Sequence, residues 1–303
     1  MALCALASVV TWAAVFLLPV FVQSVQGRSA LVAGLALAPQ GLITGLSTTL
    51  APRWLSGLTV RVTVLAGFAI LAVATLGLVG LLRQVPGRTW GEIALAAALT
   101  LGRVLLATAF GTLWTVPAGL AIGLSPRLSR VLQPVVQVVA SFPAPMLFPA
   151  VVAGLTALGV GLGWGSVVLM LLGTQWYVLF NVVAGATAIP ADLRESARIY
   201  RLGLLQRMRV LYLPAIFPYL VTGWVTAAGG AWNASIVSEY MSFRGQVLAT
   251  TGLGARISTA AAGAEYAVLA AAITFMAAMV TVFNRLVWRR LHAIAEERFT
   301  LAR

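Results

Sequence analysis

The sequence predicts an all-α polytopic membrane protein with about eight transmembrane helices, and three observations predict it. Hydrophobic residues make up 61% of the 303-residue chain, charged residues only 9%, and the mean hydropathy is +0.99. A soluble domain of this size has no interior large enough to hide that much apolar surface, so lipid must be the solvent for most of it. The apolar runs reach about 20 residues or more, the length a helix needs to cross a bilayer. They show no sustained two-residue alternation, which argues against a closed barrel and leaves helices as the structure that satisfies its own backbone in lipid.

Eight hydrophobic segments follow, at roughly 4–25, 30–50, 60–82, 93–124, 131–161, 164–187, 213–238 and 265–288. The first is apolar from Ala2 onward with no basic region before it, so it is expected to be a retained span and not a cleaved signal. The intervening breaks are polar or rich in Gly and Pro, including the long stretches 190–211 and Arg244 to Gly263. Gly, Ala, Ser and Thr are frequent in the spans, as close helix packing in lipid requires. Within 131–161, Pro143, Pro145 and Pro149 crowd one helix. Each removes a backbone donor, which gives either a packing kink or a broken helix beside a substrate path.

Net charge is +13, and all 20 basic residues are Arg. In a membrane protein the positive-inside bias explains such an excess better than nucleic-acid binding does. With the 190–211 island in the cytoplasm, Arg53, Arg61, Arg127, Arg130, the island's five Arg, Arg285, Arg289, Arg290, Arg298 and Arg303 fall inside. Only Arg28, Arg83, Arg88, Arg244 and Arg256 fall outside, and both termini are then cytoplasmic. The absence of Lys excludes a phosphate-binding loop of the G-x-x-x-x-G-K-[ST] type, so any ATP hydrolysis must come from another subunit. The single Cys4 excludes an internal disulfide, and the single His292 lies in a charged tail, so no metal cluster is expected. Seven acids, mostly at helix ends, supply neither a paired-acid site nor a nucleophile with its base, so an intramembrane enzyme is disfavoured.

The island from Asp192 to Pro214 is the one dense polar stretch between spans. Asp192 is expected to cap a helix over 193–202, with Glu195 three residues later as in a capping box, and Gly203 to terminate it. Ser196 and Ala197 are small, while Ile199 and Leu202 supply an apolar ridge. Such a helix either suits a partner's groove or is part of an ordinary basic loop.

Glu195-Ser196-Ala197, followed after a spacer by Leu211-Tyr212-Leu213-Pro214, resembles the signature of the permease subunits of ATP-binding-cassette (ABC) importers. That signature reads Glu-Ala-Ala, a Gly four positions after the second Ala, then Ile-x-Leu-Pro. Here Ser196 replaces the first Ala, and Arg201 stands at the Gly position with Gly203 two residues on. The segments Pro214–Trp224 and Gly230–Tyr240, and the tail around Asn284–Trp288, are similar to the nitrate, sulfonate and taurine branch. The resemblance covers residues 90–300 and implies a type I importer permease core of 5–6 helices, placed at 59–303. It implies a coupling helix at about 192–203, with ATPase contact through Asp192, Glu195, Ser196, Ala197, Ile199, Leu202, Gly203, Leu213 and Pro214. The implied partners are cytoplasmic ATPase subunits that carry ATP and Mg, an extracytoplasmic solute-binding protein, and a second permease half, identical or related. No cofactor is expected on this chain. The implied solute is a small anion.

Residues 1–58 are set apart as extra N-terminal transmembrane helices. Phe16–Gln23 and Gly27–Gly41 are similar to part of a major-facilitator drug exporter, which keeps a proton-coupled secondary transporter as the alternative function. For the solute path the candidates are Arg103, Pro143, Pro145, Trp232, Asn233, Ser235 and Glu239. Arg103 is the one basic residue well inside a span, and intramembrane charge faces protein or water. It contacts an anion or pairs with Glu239 or Glu92. Glu239 does not attract an anion, so a structural or gating role with Arg103 or Arg244 is expected of it. Gln137, Gln175 and Asn181 are read as interhelical glue.

Overall fold

The computed structural model describes residues 60–299. The segments expected at 4–25 and 30–50, with the exporter-like stretch, lie outside the described residues. The described chain forms helices α1 (Val60–Arg83), α2 (Gly87–Leu124), α3 (Pro126–Ala140), α4 (Phe148–Ala157), α5 (Leu162–Thr187) and α6 (Ala191–Ile199). There follow a continuous helix α7 (Leu204–Ser238), a hairpin β1 (Tyr240–Phe243) and β2 (Gln246–Ala249), α8 (Leu253–Ala262) and the long helix α9 (Tyr266–Phe299). Four of these helices, α2, α5, α7 and α9, are long and apolar enough to cross a membrane, and five spans result if the bent pair α3–α4 counts as one. The expected segments at 60–82, 93–124, 164–187, 213–238 and 265–288 each fall on a helix.

The residues divide into two compact units. One holds the described residues up to Gly91 and Ile257–Ile273. In it, α1 leaves Val73 and Leu76 about 70% exposed, an apolar face suited to lipid. In the same unit α8 ends in a Schellman turn, where Glu265 N donates to Ala260 O (2.9 Å) and Ala264 takes the left-handed conformation (φ 55°).

The second unit comprises Glu92–Arg256 and the chain from Thr274 onward. Its core is built on α5 and α7. Val178, Val182 and Ala186 of α5 pack with Ile216, Leu220 and Ala227 of α7 and with Leu120 of α2. A second cluster joins Val104 and Ala107 of α2, Met170 of α5, Ala231 and Trp232 of α7, and Trp288 of α9. Between membrane helices the drive is close packing, not release of water, so small residues matter most where backbones meet. Gly119 and Gly123 of α2 show this: a Cβ at Gly119 would stand 2.7 Å from Val182 Cγ1, and one at Gly123 would stand 2.6 Å from Ala186 Cβ. Their four-residue spacing puts both on the face that meets α5. Two of the hydroxyls buried in these spans bond back to their own helix, Thr108 to Val104 O (2.8 Å) and Thr174 to Met170 O (2.8 Å).

Of the two readings of 131–161, the broken helix is the one present. α3 stops at Ala140, a short 3-10 turn covers Ala144–Leu147, and α4 leaves at 74° to α3. Pro143, Pro145 and Pro149 each lack an N–H, and three of them within seven residues leave too few donors to carry the helix through.

The island is corrected in three details. Its helix runs Ala191–Ile199, with Pro190 at the N-cap, so Asp192 lies in the first turn and no Asp192–Glu195 capping box forms. Proline at the N-cap and an acid in the first turn achieve a similar start by fixing φ and complementing the helix dipole. Gly203 does not end this helix. The terminator is Arg201, at φ 51°: Leu202 N donates to Ala197 O (3.1 Å) and Arg201 N to Arg198 O (2.9 Å), a Schellman turn with an arginine at its left-handed residue. Gly203 opens the next helix, where its N–H is taken by Gln206 Oε1 (2.9 Å). A side chain in the left-handed region costs about 1–2 kcal/mol, partly offset by glycine's greater freedom when unfolded. Arg201→Gly is therefore expected to stabilise the protein by about 0.5–1 kcal/mol, seen as a rise in Tm; an unchanged or lower Tm would contradict the strain at this residue. Beyond Gly203 the chain enters α7 through a π turn at Met208–Tyr212, just before Pro214. The wider turn shifts the hydrogen-bond register at the point where Pro214 cannot donate.

Candidate functional site

Two constellations stand out in the second unit, one at each end of α7. The first is the island. The sides of α6 divide: Ala197 is buried, whereas Asp192, Glu195 and Ile199 are exposed, with Ile199 at 72%. The apolar exposure continues through Tyr200, Leu204 and Leu205, all above 75%. Exposed large apolar side chains in succession, set among unpaired charges, form a surface with the chemistry of a protein contact. Leu202 and Pro214, with Leu193 and Tyr200, border a hollow of about 380 Å³ that Arg298 and Phe299 of α9 also line. Ser196 lines the same cavity, Gly203 is exposed at the turn, and Leu213 is 40% exposed at the start of the regular part of α7.

At the other end of α7, Glu239 is completely buried. Arg103 of α2 donates to it through Nη1 (2.8 Å), and the Thr100 hydroxyl donates at 2.8 Å to Oε1. Its Oε2 accepts from the backbone N–H of Gly254 (2.9 Å), while Thr100 Oγ1 accepts from Leu253 N (2.7 Å). Those are N–H groups of the first turn of α8, which no helix can satisfy internally. A carboxylate from α7 and a hydroxyl from α2 thus cap α8, and the negative charge lies at the positive end of its dipole. The glycines around it are required by contact: a Cβ at Gly252 would overlap the Glu239 carboxyl group, and one at Gly254 would overlap the Ser235 carbonyl.

Arg103 is held on every side. Its Nε donates to Gly163 O (3.2 Å), Nη1 also to Thr251 O (2.9 Å), and Nη2 to Thr250 Oγ1 (3.2 Å). The guanidinium therefore ties the start of α5 and the chain after β2 to Glu239. Of the pairings open from the sequence, Arg103–Glu239 is the one present. Glu92 pairs with Arg256 (3.3 Å), and Arg244 lies over the Phe243 ring (5.2 Å).

The other path candidates are not gathered at one surface. Trp232 is buried in the α2–α5–α7–α9 cluster, and Ser235, also buried, donates to Trp232 O (2.7 Å). Asn233 is exposed on α7, and Pro143 and Pro145 are exposed at the α3–α4 break. Gln175 accepts from Trp114 Nε1 of α2 (3.1 Å), Asn181 bonds its own helix at Tyr177 O (2.8 Å), and Gln137 lines a groove between α3 and α5.

Thr100, Gly252, Gly254 and the whole hairpin are not among the residues expected from sequence, since Thr100 is one of many hydroxyls in the spans and Arg244–Gly263 has the composition of a break between them. A signal was present. Arg244-Gly245 is a two-residue turn with both φ positive (51° and 78°), pairing Phe243 with Gln246, the geometry that favours glycine in a tight hairpin.

Several apolar spans, one bent pair and a short exposed helix between two of them define a multi-pass membrane protein. Residues 111–299 match the family of binding-protein-dependent transport system inner membrane components, and the chain belongs to that family. Among its relatives are the nitrate import permease protein NrtB of Leptolyngbya laminosa (26% identical over 48% of this chain and 50% of the relative) and the taurine transport system permease protein TauC of Escherichia coli K12 (27%, over 55% and 56%). The bicarbonate transport system permease protein CmpB of a Synechocystis strain is 26% identical over 50% of this chain and 51% of its own. The chain matches about half the length of these relatives. In fold it is similar to a chain of the methionine ABC transporter MetNI in inward-facing conformations (TM-score 0.57, 18% identity, covering 69% of this chain and 99% of that one).

Proposed function

We propose that this chain is the permease subunit of an ATP-driven ABC importer and forms half of the path for a small anion of the nitrate, sulfonate or bicarbonate kind. The observation that carries the reading is α6: a short helix between two spans, with Asp192, Glu195 and Ile199 exposed, in a chain of the binding-protein-dependent family. In this reading α6 enters a cleft on a cytoplasmic ATPase, which holds ATP and Mg, and Asp192, Glu195, Ser196, Ile199, Leu202 and Gly203, with Leu213 and Pro214, carry the contact. A second permease half completes the path, and a solute-binding protein delivers the anion from outside. Both termini are cytoplasmic. Residues 59–303 are the transport domain in this reading. The substrate class rests on the names of the relatives. None of the comparisons reported above favours proton-coupled secondary transport.

ATP binding on the partner would shift the population between two arrangements of the spans, through contacts that α6 makes differently in each. Glu195→Arg reverses a charge at that contact without touching a buried residue. It is expected to lower transport-stimulated ATPase activity at least tenfold while the permease still folds. Wild-type coupling in a folded, assembled Glu195→Arg transporter would reject the docking role of α6.

A further inference from the structure

On the flank of α6 away from the Phe299 cavity lies a second hollow, of about 730 Å³. Arg194, Arg198 and Arg207 line it with a single carboxylate, Glu195. Arg207 is fixed by its Nε bond to Leu202 O (2.8 Å), which leaves its terminal nitrogens free to face the hollow. The side chains of Arg194 and Arg198 make no hydrogen bond or ion pair among the described residues. Three guanidiniums against one acid leave a net charge of two in one concavity, and a planar guanidinium matches the oxygens of a phosphate group better than any other side chain does.

Its walls place the hollow. Leu124 is the last residue of α2 and Pro126 the first of α3, so the opening lies where apolar spans meet water. That is the depth of lipid headgroups. No residue of α3 is buried, and Val131, Val135 and Val138 are each more than half exposed, so the helix that starts at the hollow with Pro126 carries exposed apolar surface farther along. A hollow that is basic, opens at the ends of two apolar helices and is lined by Leu124, Pro126 and Ile199 as well as the arginines fits an amphiphile with an anionic head better than an acidic side chain of a soluble protein. We propose that Arg194, Arg198 and Arg207 form a site for the phosphate of an anionic phospholipid. Two of the three arginines belong to α6, and Glu195 and Ile199 line the same hollow, but the lipid site stands without the docking role assigned to that helix.

The test uses the complete transporter, with its ATPase, in nanodiscs of phosphatidylcholine alone or mixed with phosphatidylglycerol, and native mass spectrometry to count retained lipids. Wild type is expected to retain phosphatidylglycerol over phosphatidylcholine, and Arg194→Gln/Arg198→Gln to lose that preference by about 25-fold, roughly fivefold for each charge. Arg194→Lys/Arg198→Lys, which keeps the charge, is expected to keep most of it and guards against misfolding of the glutamine variant. Inorganic phosphate added to the phosphatidylglycerol discs separates the sources: the lipid site predicts little displacement at millimolar phosphate, whereas full displacement would make soluble phosphate the ligand and overturn the lipid assignment. The proposal also fails if wild type shows no preference, or if the glutamine variant keeps its lipid and loses the ATPase, since the arginines would then be contacts of the ATPase. A failure of Glu195→Arg to uncouple transport leaves these lipid measurements unchanged, so the two readings are separable.

Discussion

Glu239→Ala is expected to destabilise the protein by about 3–5 kcal/mol, the usual cost of leaving one member of a buried ion pair alone. Glu239 is fully buried and Arg103 only 12% exposed, so the guanidinium would lose its one counter-charge while remaining largely out of water. The substitution also strips the cap from α8, whose Gly254 N–H would lose its acceptor. Thermal unfolding of the purified protein measures the loss. A double-mutant cycle decides its origin: Arg103→Met combined with Glu239→Met should be less damaging than the sum of the single changes, because replacing both charges removes the unpaired one. Strict additivity would mean that the pair contributes nothing as a pair.

The second large effect concerns a single methyl group. Gly254→Ala would place a Cβ on the Ser235 carbonyl and 2.7 Å from Ile236 N, backbone atoms of α7 that cannot rotate aside. Overpacking of this kind costs about 1–3 kcal/mol, and more where only backbone is available to yield. Gly252→Ala meets instead the carboxyl group of Glu239, a side chain. Its cost should therefore shrink in a Glu239→Ala background, whereas that of Gly254→Ala should not. Equal costs in both backgrounds would sink the account of Gly252.

The spans were legible because they rest on long-range composition: a bilayer demands about 20 apolar residues whatever they pack against. Even here Pro143, Pro145 and Pro149 showed that a break was coming without showing that it would be a 74° turn. Local chemistry was read less well at the island. Asp192 and Glu195 have the right spacing for a capping box, yet Pro190, with its fixed φ, starts the helix two residues earlier than the box would. Gly203 looked like the terminator, but hydrogen bonding places the left-handed residue at Arg201, the position at which the importer signature has glycine. The Glu239 corner was half visible. A base well inside one span and an acid at the end of another, 136 residues apart, suggest a pair. Thr100, Gly252 and Gly254 are needed only once α8 is brought against α7, and nothing in their neighbourhood marks that approach. Asn233, polar in an apolar helix, proved exposed, whereas Trp232 beside it is interior. Helical phase decides such differences, and one residue of error reverses them.

The helix from Leu204 to Ser238 has a mechanical consequence. Its 35 residues correspond to about 52 Å at 1.5 Å per residue. A tilt of about 5° pivoting at its first residue would carry the far end sideways by about 4–5 Å, farther than any hydrogen bond in the Glu239 corner can stretch. The π turn at Met208–Tyr212 lies within ten residues of the pivot end, which leaves most of the shaft as unbroken α-helix. A lever of that length cannot swing while its tip stays put: Arg103, Thr100 and the first turn of α8 must either travel with Glu239 or let it go.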